Sequence, residues 1–182
     1  MLHFELQRAS DKLIREVFAV KKDEVVVITA DTGSDMELVH AVASSVYAAG
    51  AKPMVITIVA PDGVGKAADP GIPVDCLTGA LLHCDVWIEF NHQWLLYSTP
   101  FERALDGNKK MRYMCLVDFD CALLTRVVGK VETPQLQKFM TAVANIHENA
   151  REVHVTTPAG TDVSFLIDPE HVMSNDCGDA SQ

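Results

Sequence analysis

A strand–helix–strand pattern near the N-terminus restricts the fold of this chain more than any other feature. Residues 24–30 (EVVVITA) form a continuous β-branched run, typical of a strand covered on both faces in a parallel sheet. Residues 35–50 have helical spacing, with Ser34 expected as the N-cap and Gly50 as the left-handed C-terminal stop. A second run at residues 52–60 (KPMVITIVA) predicts another buried strand. Two parallel strands joined by a helix predict a right-handed crossover, and therefore an α/β fold.

The alternation of strands and helices continues along the chain. Helical spacing over residues 4–20 predicts a first amphipathic helix. Further elements are expected in the order helix 74–83, strand 85–90, a helix opened by Thr99 as N-cap and Pro100, strand 111–117, helix 120–129 and a long helix that starts at Thr133. Residues 156–168 (TTPAGTDVSFLID) contain a tight turn between two strands. This order predicts a doubly wound, mostly parallel sheet with a terminal β-hairpin.

Charge and composition exclude several classes of function. The 182 residues carry 15 basic and 25 acidic side chains, and the net charge of −10 would repel phosphate backbones and anionic lipids. Neither nucleic acid nor a membrane is therefore an expected partner. The N-terminus has no signal-peptide pattern and no apolar run reaches the ~20 residues that span a bilayer, so a cytoplasmic protein is expected. In that reducing compartment the five cysteines are expected to be free thiols.

Polar residues follow each expected strand. Ligands of a doubly wound sheet bind beyond the carboxyl ends of its strands, so these residues should converge on one rim. They are Asp31, Thr32 and Ser34 after the first strand, Asp62 to Lys66 after the second, Asn91 to Trp94 after the third, and Asp118 and Asp120 after the fourth.

The segment Asn91, His92, Gln93 and Trp94 is the candidate for a substrate cleft or an interdomain contact. It combines hydrogen-bonding groups with a large aromatic surface directly after a buried strand. The alternative is a wide structural loop pinned by half-buried Trp94 and Tyr97, and the sequence leaves both interpretations open.

No motif in the sequence completes a catalytic or metal site. Asp62 to Lys66 lack the Walker spacing and hydroxyl, and the turn after the first strand has one glycine where a dinucleotide fingerprint needs three. His147 is followed one turn later by Arg151, not by the second histidine of a zinc helix. Asp118 and Asp120 could bind a hard metal, but no third ligand is near and Asp120 fits an N-cap. We therefore assign no catalytic residue, metal ligand or bound cofactor to this chain.

Three stretches, residues 25–59, 85–105 and 152–168, resemble the N-terminal domain of the aminopeptidase T or thermophilic metalloprotease family (peptidase family M29). They are also similar to the 2,5-dihydroxypyridine dioxygenases, which have a related fold. Residues 157–162 (TPAGTD) resemble the hairpin near the end of the first domain, and residues 48–56 (AAGAKPMVI) resemble its first crossover.

The resemblance implies a two-domain protein with a Rossmann-like first domain. Residues 1–168 would form this N-terminal domain, and residues 169–182 would begin a linker to a C-terminal metal-binding domain. In the peptidases that domain carries the Glu, His and Asp ligands of a two-metal site, and in the dioxygenases two His and a carboxylate hold one iron. A divalent metal (zinc, cobalt, manganese or iron) is accordingly expected outside this chain, which alone is expected to be inactive.

Three functions stay open at this point. The first is a metal-dependent aminopeptidase-like hydrolase whose substrate cleft this domain helps to shape. The second is an Fe(II)-dependent ring-cleaving dioxygenase, and the third is a stand-alone small-ligand or protein-interaction domain. Expected partners are the protein's own C-terminal domain, a small-molecule or peptide substrate and, through the exposed edge of the hairpin, a second copy in a homodimer. Asp162 is expected to order the hairpin turn.

Overall fold

The computed structural model describes residues 3–168, 170, 180 and 181. Its helices are α1 (His3–Lys12), α2 (Met36–Ala48), α3 (Val74–Leu81), α4 (Thr99–Gly107), α5 (Cys121–Leu124) and α6 (Thr133–Glu148). Its strands are β1 (Val25–Asp31), β2 (Lys52–Ile58), β3 (Val86–Glu89), β4 (Arg112–Cys115), β5 (Glu152–Thr156) and β6 (Asp162–Leu166). Two π-helical turns, Leu13–Val17 and Thr125–Gly129, follow α1 and α5, and a 3₁₀ helix spans Gly65–Gly71.

The first four strands form one parallel sheet in the order β2-β1-β3-β4. Val26 and Ile28 of β1 lie opposite Val86 and Ile88 of β3. From β1 the chain crosses to β2 on one side and then returns to build β3 and β4 on the other side. The strand order therefore reverses between β1 and β3, which is where open α/β sheets bind their ligands.

Helices cover both faces of this sheet, because alternate side chains of each strand point to opposite faces. Val26, Ile28 and Ile88 belong to one core, which includes buried residues of α1, α2 and α5. Val27 and Trp87 belong to a second core, built with α3 and α4. The predicted doubly wound, Rossmann-like α/β sheet is confirmed.

Strand β2 differs from its expected environment. The sequence predicted a buried strand, but β2 lies at the edge of the sheet, and Met54 and Val55 are exposed. An apolar β-branched run shows that a segment pairs as a strand, whereas its burial depends on the order of strands in the sheet.

Two of the helix caps expected from the sequence, those of α2 and α4, are displaced by one residue. Asp35, not Ser34, caps α2, and Ser98, not Thr99, caps α4 by accepting a hydrogen bond from the Phe101 amide at 3.4 Å. The hydroxyls of Ser34 and Thr99 do not cap these helices because each is bound to another residue. Ser34 Oγ donates to the Phe90 carbonyl at 2.9 Å, and Thr99 Oγ1 donates to an Asp69 carboxylate oxygen at 2.6 Å.

Contacts divide the chain into two units, Met1–Val131 with Asp179–Gln182, and Glu132–Gly178. The second contains α6 and the antiparallel β5–β6 hairpin, whose two strands pair with each other as a separate sheet. No residue of α6 is buried, and Phe139 and Ile146 are exposed on it. Of the expected linker 169–182, only Glu170, Ala180 and Ser181 are described. The Ala180 amide donates to the Val17 carbonyl at 3.0 Å.

Two further features bear on the sequence predictions. Within the described ranges, no helix has the length and apolar character needed to cross a bilayer. Cys76, Cys84, Cys115 and Cys121 are free thiols, as predicted, and Cys177 lies outside the described residues.

Candidate functional site

Asp31 joins the turn after β1 to the loop after β3 at the point where the strand order reverses. It is the last residue of β1 and is fully buried. Its Oδ1 accepts a hydrogen bond from the Gly33 amide at 2.8 Å, and its Oδ2 accepts one from the Gln93 amide, also at 2.8 Å. Both carboxylate oxygens therefore have a backbone N–H partner, which compensates for the loss of water around a buried acid.

Gly33 allows the two segments to approach this closely. A Cβ atom at this position would lie 3.0 Å from the Cβ of His92 and 3.3 Å from Oδ1 of Asp31. A larger residue would therefore push the turn away from the loop.

Glu89 holds the same loop from the end of β3. Its carboxylate is fully buried and accepts hydrogen bonds from the Leu95 amide and the Tyr113 hydroxyl. Burial raises the pKa of Glu89, and the bonds from Tyr113 and Leu95 oppose this only in part. Burial also raises the pKa of Tyr113, so the phenol is protonated and donates to the carboxylate.

His92 and Asp118 form an ion pair or hydrogen bond between the loops after β3 and β4. Nδ1 of His92 contacts Oδ1 of Asp118, and the side chains are 50% and 65% exposed, respectively. Asp118 adopts a left-handed backbone conformation with φ of 57°, which is uncommon outside glycine. The contact orients the imidazole ring, because Nδ1 faces the carboxylate and Nε2 is on the other side of the ring.

Asn91 is fully buried directly after β3, and neither its side-chain oxygen nor its side-chain nitrogen has a hydrogen-bond partner among the described residues. A buried polar group left without a partner costs about 1–3 kcal/mol. Such groups are rare in folded proteins, so this amide requires a specific explanation.

The remaining rim residues differ in what they contact. Thr32 Oγ1 accepts from the Ala60 amide at 3.1 Å, which ties the end of β1 to the end of β2. Lys66 pairs with Glu102 of α4, and the neighbouring Gly65 amide donates to the Trp94 carbonyl at 3.0 Å. Trp94 is 39% exposed, and Tyr97 is 64% exposed with a positive φ of 66°.

Asp120 and His154 have structural partners. Asp120 caps α5 by accepting from the Leu123 amide, as predicted. His154 lies in β5, where its Nε2 contacts Oδ1 of Asp162 at 2.7 Å across the hairpin.

The sequence interpretation did not identify Glu89 or the pairing of His92 with Asp118. The one available signal for Glu89 was a carboxylate inside the apolar run of β3, because a buried acid requires partners. The signal for Asp118 was its position after the strand next to β3. Parallel neighbours bring the residues at their carboxyl ends together.

The N-terminus of α2, where a dinucleotide would place its phosphates in this fold, is occupied by Asp35. Its Oδ1 accepts from the amides of Glu37 at 3.0 Å and Leu38 at 3.3 Å. Burial acts to raise the pKa of Asp35, but hydrogen bonds from Cys121 and from these amides outweigh it, so the pKa is lowered. A fixed negative charge at this position disfavours phosphate binding.

No metal centre is formed by the described part of the chain. Within it, no three His, Cys, Asp or Glu side chains lie together in a group that could hold a metal ion. These residues therefore do not fit the metal site of the families that the sequence resembles, and we derive no reaction step through a metal.

Comparison with known proteins matches this chain to a family and to solved structures. The family described as NicX, 2,5-dihydroxypyridine 5,6-dioxygenase, matches residues 11–181. The structure of 2,5-dihydroxypyridine dioxygenase from Pseudomonas putida KT2440 superimposes with a TM-score of 0.70 at 19% identity, covering 92% of this chain and 48% of that chain. Wild-type AmpT from Thermus thermophilus superimposes with a TM-score of 0.58 at 12% identity, covering 92% of this chain and 54% of that chain. No curated protein matches the sequence.

The matches confirm the resemblance to both groups of proteins. At these identities the two structural matches concern the fold. This chain spans about half the length of either structure.

Proposed function

The chain belongs to the NicX family of 2,5-dihydroxypyridine 5,6-dioxygenases, and we propose that it forms the part of such an enzyme that receives a hydroxylated pyridine ring at the rim between β1 and β3. The proposed rim consists of Asn91, His92, Gln93 and Trp94, together with Asp118. Residues 1–168 would be the N-terminal domain, and residues 169–182 would lead to a C-terminal domain.

The unpaired amide of Asn91 is the observation that carries this proposal. A side-chain amide offers one acceptor oxygen and two N–H donors, and a dihydroxypyridine offers two hydroxyl groups and a ring nitrogen. A site built to pair with such groups rejects a ring that lacks them, because its own polar atoms would then stay buried and unpaired. Because the amide of Asn91 is closed to solvent, the ring would reach it only when the loop 91–94 moves, and the free energy lost on burying Asn91 would then be recovered.

His92 would be the proton acceptor at this rim. Its contact with Asp118 orients the imidazole and stabilises the charge that forms when Nε2 takes a proton from a ring hydroxyl. The exposed Trp94 would add an aromatic surface against which the ring can lie.

A divalent metal would supply the oxygen chemistry of a dioxygenase. The described residues offer no ligand set for it. We propose that the ligands come from a C-terminal domain, and that this domain is the first partner of the present chain.

The test uses the protein translated from the whole reading frame that contains this sequence. Purified, supplied with Fe(II) and kept free of oxygen, it should bind 2,5-dihydroxypyridine in a calorimetric titration. On addition of oxygen it should then consume the ring compound. A protein that neither binds nor consumes this compound contradicts the proposal.

The variant Asn91→Leu gives the first prediction, because it removes the unpaired amide while keeping a similar side-chain shape. We expect it to unfold at a higher temperature than the wild type, and to bind the ring roughly tenfold more weakly because the polar contact is lost. The matched control is Ser10→Ala, since Ser10 in α1 also buries an unpaired hydroxyl. It should gain stability without any loss of ring binding. Unchanged binding in Asn91→Leu would exclude a role for Asn91 at the substrate.

An aminopeptidase-like hydrolase is the second candidate, favoured by the structural similarity to AmpT. We propose the dioxygenase first because it is supported by the family match and by the higher TM-score. Assays of the same protein with amino-acid amides separate the two, since the hydrolase releases amine without consuming oxygen. Ring binding without either reaction would instead support the stand-alone binding domain.

A further inference from the structure

Two buried carboxylates, Asp31 and Glu89, hold the loop that contains His92 and Trp94. We infer that both are positioning residues for this loop and that they differ in what they require: position 31 needs a carboxylate, whereas position 89 needs only a side chain with one acceptor and one donor.

The requirement at position 31 follows from its partners. Both oxygens of Asp31 accept hydrogen bonds from backbone amides, one from Gly33 and one from Gln93. An asparagine has a single acceptor oxygen, so its NH₂ group would face one of the two N–H donors. Asp31→Asn therefore either loosens the turn at Gly33 or detaches the loop at Gln93.

The requirement at position 89 is weaker because one partner is a hydroxyl. Glu89 accepts from the Leu95 amide, which cannot change its role, and from the Tyr113 hydroxyl, which can donate or accept. A glutamine at this position can still accept from Leu95 and can donate to the oxygen of Tyr113. Glu89→Gln should therefore keep the loop attached, whereas Glu89→Leu removes both bonds.

The loop contains its own reporter. Trp94 lies between the two anchored amides, Gln93 and Leu95, and is 39% exposed. The second tryptophan, Trp87, is fully buried and donates through Nε1 to Thr29 Oγ1 at 2.9 Å. Detaching the loop should thus change the accessibility of Trp94 and leave that of Trp87 unchanged.

The experiment is acrylamide quenching of tryptophan fluorescence in the wild type and in three variants, Asp31→Asn, Glu89→Gln and Glu89→Leu. Each is also made with Trp94→Phe, so that the signal of Trp94 is obtained by difference. We expect Asp31→Asn and Glu89→Leu to raise the quenching constant of Trp94 roughly twofold, since a detached loop exposes its side chains. Glu89→Gln should leave it unchanged.

The inference is overturned if Asp31→Asn and Glu89→Gln have the same effect on the quenching constant of Trp94, whether both leave it unchanged or both raise it. A second measurement uses the wild type alone and so does not depend on the folding of a variant. Hydrogen exchange followed by NMR should show slow exchange for the amides of Gln93 and Leu95 and faster exchange for that of Trp94. Equal rates at these three positions also overturn the inference.

Only the use of the loop for substrate rests on the proposed function. If the wild type binds no dihydroxypyridine while the variants behave as expected, the anchoring stands and the proposed function fails. If the ring binds but Asp31→Asn leaves Trp94 unchanged, the anchoring fails and the proposed function stands.

Discussion

At the scale of single residues, burial and hydrogen bonding act in opposite directions on the acids of this protein. Burial raises the pKa of Glu89 above its ordinary value of 4.5, because hydrogen bonds from Tyr113, Leu95 and Cys115 only partly compensate for the loss of water. For Asp85, the hydrogen bond from Lys110 has the largest effect on the pKa. Together with the hydrogen bond from the Val25 amide, it lowers the pKa below 3.8. The two acids should therefore affect stability with opposite dependence on pH.

The replacement Glu89→Gln tests the first of these shifts. As pH rises above about 4.5, the unfolded chain loses the proton of Glu89 before the folded chain does, so folding becomes less favourable. At a pH above the folded-state pKa of Glu89, the wild type loses about 1.4 kcal/mol of folding stability for every pH unit by which that pKa exceeds 4.5. In urea unfolding between pH 4 and pH 8, the free energy of unfolding of the variant should increase relative to that of the wild type as pH increases.

The opposite-sign control is Asp85→Asn. The lowered pKa of Asp85 means that its contribution to stability is present above pH 3.8 and is lost as pH falls through the folded-state pKa. This variant should be less stable than the wild type at neutral pH, and the difference should shrink in acid. A gain for Glu89→Gln that does not depend on pH would show that its carboxylate is not perturbed in the fold.

At the scale of elements, two glycines show how the backbone conformation decides the effect of the same substitution. Gly50 follows α2 with a φ of 80°, in the left-handed region predicted from the sequence. Gly79 lies within α3, and a Cβ atom there would have no heavy atom within 4 Å. Gly50→Ala should destabilise the fold by about 1 kcal/mol, and Gly79→Ala should stabilise it by about 0.5–1 kcal/mol. Thermal unfolding of the two variants checks both signs, and equal shifts in Tm would contradict this explanation.

The sequence was sufficient for the order and type of the elements, because helical and β-branched patterns are local properties. The sequence was insufficient where the position of a cap or the burial of a strand depends on residues far along the chain. The caps of α2 and α4 differ from the predicted ones because the hydroxyls of Ser34 and Thr99 bond to residues far along the chain. Strand β2 is exposed because the strand order places it at the edge of the sheet.

For the candidate site, too, the sequence predicted the local features and missed those that depend on distant segments. The position of Asn91 to Trp94 after a buried strand is a local feature, and it remains the basis of the proposed rim. The unpaired amide of Asn91 and the roles of Asp31 and Glu89 depend on burial and on amides in other segments. Those properties exist only once β1 and β3 are paired.

At the scale of the whole molecule, the two units differ in how much they bury. Strands β1 and β3 lie between two cores, whereas α6 and both strands of the hairpin have no buried residue. Hydrogen exchange measured by mass spectrometry should therefore show β1 and β3 exchanging only through global unfolding. Amides of α6 and of the hairpin should exchange faster by orders of magnitude. Equal protection of the two units would contradict this expectation.

The carboxylate of Asp35 at the start of α2 has a consequence for anion binding. Because the chain supplies its own anion to the helix, the amides of Glu37 and Leu38 are already hydrogen-bonded and a phosphate at that terminus would face a carboxylate. Inorganic phosphate should therefore not gain affinity for the protein from this helix terminus.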